Sequence, residues 1–244
     1  MKYLKKIENH TDYDNAKNSL ILPNVSFCGL EKDIHYKQFN PCNGHEYVEI
    51  GGVKWATMNL GATTITDNGF FFQWGDTQGY TADQVGSGEG KKAFAWADYK
   101  FNPSGDGSTM TKYNSTDGKT RLELVDDAAR TMWEGEWRLP TAEELTSLQT
   151  GSTSAWTNSY NDSGVPGVIL TSKTDQRNKI FLPAGGDCSN GVVGSVGNLG
   201  CYWVSDVEGN KTSGRRFWFD GGGITWNASW DRYYGFKIRP VVSW

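Results

Sequence analysis

Phe217-Trp218-Phe219-Asp220-Gly221-Gly222-Gly223-Ile224-Thr225-Trp226 is the stretch on which the reading of this chain turns. Two short apolar segments flank an aspartate and three glycines, so the stretch reads as a β-hairpin whose turn draws on glycine's access to positive φ. Side chains alternate along a strand, which places Phe217 and Phe219 on one face and Trp218 on the other, with Ile224 returning to the phenylalanine side. With the phenylalanines in the core, Trp218 points outward. Residues 226–234 hold four large aromatics, Trp226, Trp230, Tyr233 and Tyr234, without helical or strand periodicity, and read as a loop. Tyr and Trp supply rigid contact area at small entropic cost, and the interspersed Asn, Ser and Gly supply adaptable hydrogen bonds, the composition of a recognition surface. Downstream, residues 235–242 read as a closing core strand on the alternation of Phe236 and Ile238.

Moving upstream, Lys179-Ile180-Phe181-Leu182-Pro183 predicts a short buried strand, and residues 152–163 a polar loop. Thr141-Ala142-Glu143-Glu144 after Pro140 is a capping box opening a helix to about Leu148. Arg138 beside Glu143 and Glu144 reads as part of that cap with a buried ion pair. Leu122, Val125, Ala129 and Met132 recur at helical spacing and predict a second helix ending near Gly135. Between Gly69 and Gly118 lies a polar, glycine-rich passage with Phe94, Trp96 and Tyr99 as islands, expected to form long loops pinned by aromatics. Residues 46–56 around Gly51-Gly52 form a second hairpin signal. Residues 1–44 are more charged, lack Trp, and read as an arm for attachment or oligomerisation; the globular domain is expected over 45–244.

The totals exclude several classes of protein. Thirty glycines in 244 residues stand well above the usual ~7%, so loops are expected to dominate. The net charge of −4 and the lack of basic runs beyond pairs such as Lys91-Lys92 and Arg215-Arg216 give no electrostatic footprint for nucleic acid. Arg215 and Arg216 read as a solvated strand edge. No apolar run approaches the ~20 residues of a membrane span, so no membrane insertion is expected, and residues 1–20 lack the apolar middle of a Sec signal. Cys28, Cys42, Cys188 and Cys201 have no zinc-ribbon spacing; free, buried thiols are expected, with a Cys188–Cys201 bridge as the alternative. All three histidines, His10, His35 and His45, precede residue 46, so no His-based triad can draw one from the C-terminal half. Asp187, Asp206, Asp220 and Asp231 are scattered and read as turn formers in preference to cation ligands. No cofactor and no metal are expected.

Seven strings occur in order: residues 53–60 (VKWATMNL), 72–75 (FQWG), 126–129 (DDAA), 137–144 (WRLPTAEE), 181–185 (FLPAG), 200–205 (GCYWVS) and 232–241 (RYYGFKIRPV). Together they resemble the Fibrobacter succinogenes major paralogous domain family over about residues 45–244. The resemblance implies an α+β, C-type-lectin-like fold, related to that of formylglycine-generating enzymes: N- and C-terminal strands pair, two helices flank short antiparallel strands, and long loops gather at one end. Some members are variable proteins of diversity-generating retroelements. Carried over by position, Phe217, Phe219, Ile224, Arg232, Gly235, Phe236, Ile238 and Arg239 would be scaffold. The ligand-binding positions would be Trp218, Asp220, Gly223, Thr225, Trp226, Asn227, Ser229, Trp230, Asp231, Tyr233 and Tyr234. Adenine-directed mutation of asparagine codons yields Tyr, Ser and Asp but not Trp, so the three tryptophans speak for binding more than for diversification.

The function this implies is non-enzymatic: the receptor-binding tip adhesin of a phage tail fibre, with a bacterial cell-surface adhesin as the alternative. The partners would be a host cell-surface protein or glycan, and further subunits held through the arm, with a homo-oligomer possible. The location would be the virion or an extracellular surface. A formylglycine-generating-type oxidase ranks third, because its closely spaced cysteine pair and iron-binding histidines have no counterpart here. Calcium-dependent sugar binding lacks its Glu-Pro-Asn string.

Overall fold

A computed structural model describes residues 42–243. The described chain is mixed α+β and dominated by antiparallel strands, with two α-helices. Strands β1 (Tyr47–Ile50) and β2 (Val53–Ala56) form the hairpin predicted around Gly51-Gly52. Gly51 and Gly52 both take positive φ (64° and 75°), the geometry of a two-residue turn that matches strand twist. A side chain at Gly51 would meet the Ser147 carbonyl oxygen at 2.2 Å, so the turn is also pressed against a helix. The last strand, β12 (Val241–Val242), lies between β2 and β3 (Trp137–Arg138) in a four-stranded sheet of order β1-β2-β12-β3. The two ends of the domain therefore meet in one sheet.

Helix α1 (Ala128–Trp133) is shorter than the predicted segment. The buried Asp127 side chain caps it, accepting from the Ala129 and Arg130 amides (2.9 and 3.1 Å) and ending the helix on its N-terminal side. Residues Leu124–Asp126 form a separate 3-10 turn, and Val125 is 72% exposed. Of the predicted stripe only Ala129 is buried, with Leu122 half-buried and Val125 and Met132 exposed; Ala128 and Trp133 complete the buried face of the helix. Helix α2 (Ala142–Gly151) starts as predicted at the Thr141 capping box and runs three residues past Leu148.

A second sheet joins β4 (Ser152–Thr157), β5 (Gly167–Ser172) and β6 (Lys179–Pro183). Its first strand lies where a polar loop was expected. Exposed Thr153, Ser154 and Ala155 hide the strand from a hydrophobicity reading, and pairing with β5 along its full length supplies the order. A short hairpin, β7 (Asp187–Ser189) and β8 (Val192–Gly194), follows. The third sheet, of order β11-β10-β9, comprises β9 (Gly200–Val207), β10 (Ser213–Asp220) and β11 (Gly223–Asp231).

Strand β9 is buried throughout because it separates two cores. Cys201, Trp203 and Val207 belong to one, with Trp74, Trp137 and Phe236. Tyr202 and Val204 belong to the other, with Phe217, Phe219, Leu145 and Leu170. A strand covered on both faces reads as a continuous apolar run. Residues 57–127 carry no long regular element and are held by buried aromatics and side-chain turns. Asp98, for example, accepts from the Ala93, Phe94 and Ala95 amides and from Gln73.

Two further expectations change. Residues 236–242 are buried without alternation, and only Val241–Val242 is a regular strand, because Lys237 and Arg239 are buried as well as Phe236 and Ile238. Arg216 is not a solvated edge: β10 is the central strand of its sheet, and Arg216 is 9% exposed. The arm expected over residues 1–44 lies outside the described residues except at its end. There Cys42 is buried and disulfide-bonded, where free thiols were expected, and its carbonyl accepts from the Trp137 indole at 2.6 Å.

Candidate ligand-binding surface

The hairpin of residues 217–226 forms as its sequence requires, with Phe219 opposite Ile224 and Asp220 opposite Gly223. The Asp220 carboxylate accepts from the Gly222 amide at 2.8 Å, and only Gly223 of the three turn glycines takes a positive φ (144°). Phe217 and Phe219 are fully buried, while Trp218 is half-buried against the other core. The following residues are not a loop. β11 continues to Asp231, paired with β10 back to Ser213. Its register passes from Trp218–Thr225 to Arg216–Ala228, three steps on β11 against two on β10. One extra residue on β11 makes a bulge at Trp226 and Asn227, which interrupts period-two alternation and accounts for the missing strand signal.

The hairpin therefore sorts the predicted binding residues onto two faces. On the side of the Trp74 and Phe236 core, Trp230 is 43% exposed and packs edge-on to Tyr234 (5.7 Å). Tyr234 meets Tyr233 at 4.7 Å, and Tyr233 meets Trp96 at 4.8 Å, so four rings form a continuous aromatic path. Beneath it the Arg216 guanidinium lies 4.6 Å from the Trp230 ring and 4.9 Å from that of Phe236, a cation–π arrangement in a desolvated site. Its Nη1 donates to the Cys201 sulfur at 3.0 Å, and its buried Nε has no partner. Trp218, paired with Thr225, lies on the same side of β10 as Arg216.

On the opposite side, Trp226 stacks on Phe217 (5.9 Å, 21° between planes) and belongs with the second core. Asn227 accepts from Arg215 at 2.7 Å. Trp226 and Asn227 face α2, from which Glu143, Thr146 and Gln149 complete a groove. Asp220 and Gly223 lie at the hairpin tip, where Gly221 approaches Trp156 of β4. Ser229, opposite Arg215, and the half-buried Asp231, opposite Ser213, complete the strand. The eleven predicted positions thus share one hairpin and its C-terminal extension without forming one patch. Of the large aromatics among them, all expected to be exposed, Trp218, Trp226, Tyr233 and Tyr234 are half-buried and Trp230 is exposed. Trp96 and the α2 residues are far from the hairpin in sequence and had no periodic signal to connect them with it.

Electrostatics add little reactive chemistry. Burial raises the Asp231 and Asp187 carboxyls, that of Asp187 against the pull of Arg216. Burial, then the neighbouring Tyr234, raises the Tyr233 phenol. The Cys201 thiol is pushed up to about 12 by burial, and Cys188 is pushed up for the same reason; both are free, buried and protonated near neutrality. Among the described residues, no group of three or more His, Cys, Asp or Glu side chains is placed to hold a metal ion, and no helix is long and apolar enough to cross a membrane. Asp206 instead binds Arg121 (2.8 Å) and the Ala142 amide (2.8 Å) at the start of α2.

No family model, no curated protein and no solved structure matches the chain.

Proposed function

We propose that this chain is a non-enzymatic receptor-binding protein with a C-type-lectin-like fold, acting at the tip of a phage tail fibre on a host cell-surface protein or glycan. The observation that carries the reading is the aromatic path from Trp96 through Tyr233 and Tyr234 to the exposed Trp230, backed by the buried Arg216. Large, rigid aromatics over a desolvated cation have the composition and preorganisation of interface hot spots. The lectin-like fold is supported by the pairing of the first and last strands through β2 and β12, by two helices, and by the long irregular passage over residues 57–127. An oxidase of the same fold family would need an accessible thiolate, whereas Cys188 and Cys201 are buried and held protonated.

The test is capture of whole bacterial cells from a panel of gut strains by the purified chain. Trp230→Ser is expected to weaken capture by about 2 kcal/mol or more, as for a hot-spot anchor, with little change in melting temperature. Undiminished capture would remove this surface from recognition. A reverse-transcriptase gene beside a near-copy of the coding region for residues 200–244 would support retroelement diversification.

A further inference from the structure

The groove on the opposite face of the hairpin has a chemistry of its own. It encloses about 360 Å³ between α2 and the outer strand β11, within the ~300–1,000 Å³ usual for small-ligand sites. Its base is apolar, formed by the buried Leu145 and Val204. Trp226 lines it, its indole held by near-parallel stacking on Phe217. The β11 bulge turns Asn227 to the same side, so an aromatic surface and an amide stand next to each other.

Three charged residues line the groove: Arg215 and Glu143 have counter-charges, while Arg216, which has none, lies opposite Trp203 and turns its guanidinium to the other face of β10, against Trp230 and Phe236. Arg215 faces Glu208 at 3.4 Å and donates to Asn227, and Glu143 faces Arg121 at 2.7 Å. The groove therefore offers no uncompensated charge to an ionic ligand. What remains uncommitted is neutral and polar: the Gln149 side-chain amide and the Asn227 NH2 have no partner among the described residues. Amides both donate and accept, and an aliphatic ligand would cover them without satisfying them. A pyranose presents one C–H-rich face suited to an indole and a ring of hydroxyls that both donate and accept.

We infer that this groove binds a neutral sugar without a metal ion, Trp226 carrying the ring face and Gln149 and Asn227 reading its hydroxyls. The inference rests on the recognition reading only in taking Trp226 and Asn227 as ligand contacts.

The full chain is tested on an array of neutral oligosaccharides, acidic oligosaccharides and short peptides, and by saturation-transfer NMR with the methyl β-glycosides of glucose, galactose and N-acetylglucosamine. Binding to neutral saccharides is expected, unchanged by EDTA. It should fall about tenfold or more in Gln149→Ala and disappear in Thr146→Trp, which fills the groove from the exposed face of α2 without entering the core. No saccharide binding, binding of acidic saccharides or peptides alone, or neutral-sugar binding that survives Thr146→Trp would overturn the inference. Cell capture is scored in parallel: wild-type protein that captures cells but no saccharide sinks this site and leaves receptor binding through the Trp230 face standing.

Discussion

Lys237 is 1% exposed, and its Nζ lies 3.2 Å from the Phe71 ring centroid and donates to the Gly69 carbonyl at 3.1 Å. No ion pair involves it among the described residues. Burial lowers its pKa to about 7. Between about pH 7 and the ordinary lysine value near 10.4 the unfolded chain holds a proton that the folded chain has released, so stability rises with pH across that window. Below it, the folded state carries the full desolvation penalty of the ammonium. Lys237→Met keeps the unbranched stem and removes the charge. The stability of Lys237→Met relative to wild type is expected to be more favourable near pH 6 than near pH 9, as read from urea unfolding midpoints at each pH. An equal difference at both values would mean that the amine does not titrate differently on folding. The neighbouring Arg239 shows the other solution. Its guanidinium is fully buried but satisfied by Asn59, the Ala56 carbonyl and the Phe181 carbonyl, which a rigid fork of donors can do and a single ammonium cannot.

At the scale of elements, α2 tests how much a local motif decides. The Thr141 hydroxyl accepts from the Glu144 amide at 3.2 Å, and the Glu144 carboxylate accepts from the Thr141 amide at 2.8 Å while meeting Arg138 through two bonds of 2.6 and 2.7 Å. Thr141→Ala is expected to cost about 1 kcal/mol, a drop of about 2–4 °C in melting temperature for a domain of this size. A change within error in thermal unfolding would show that the Arg138–Glu144 pair and the Asp206 carboxylate on the Ala142 amide suffice to hold the start of the helix. This helix, the hairpin of residues 47–56 and the strand Lys179–Pro183 were legible because each carries its cause locally, in a cap, a glycine pair or an apolar run. Strand β4 was not, since its outward residues are polar and its order comes from β5. β11 was hidden by one extra residue, which also decided the site. An uninterrupted alternation would have put Trp226 and Asn227 on opposite faces, whereas the bulge turns both toward α2. The aromatic content of residues 226–234 pointed to the right segment, and its division between two faces depends on packing that no local pattern records.

For the whole molecule, the question is whether the three larger sheets and the two cores that flank β9 unfold together. Val241 is fully buried in β12, paired with Trp55 on one side and Arg138 on the other, and belongs to the core shared with Leu170, Phe217 and Phe219. It thus touches the sheet in which the domain's ends meet and the core that the β4–β6 and β9–β11 sheets help to enclose. Val241→Asp puts a carboxylate into that core beside an Arg138 guanidinium already bound to Glu144 and Ser243, which moves the cost into the exceptional range above about 4 kcal/mol. A single cooperative unit should then lose hydrogen-exchange protection in β1–β3, β4–β6 and β9–β11 alike, because each sheet covers a face of the others. Full protection retained by β4–β6 while β12 and its neighbours exchange freely would contradict this and mark that sheet as a separately folding part. Val241→Ala gives the graded version of the experiment. Removing two methyl groups leaves a small cavity and no charge, so every sheet should remain protected and the opening free energies should fall together.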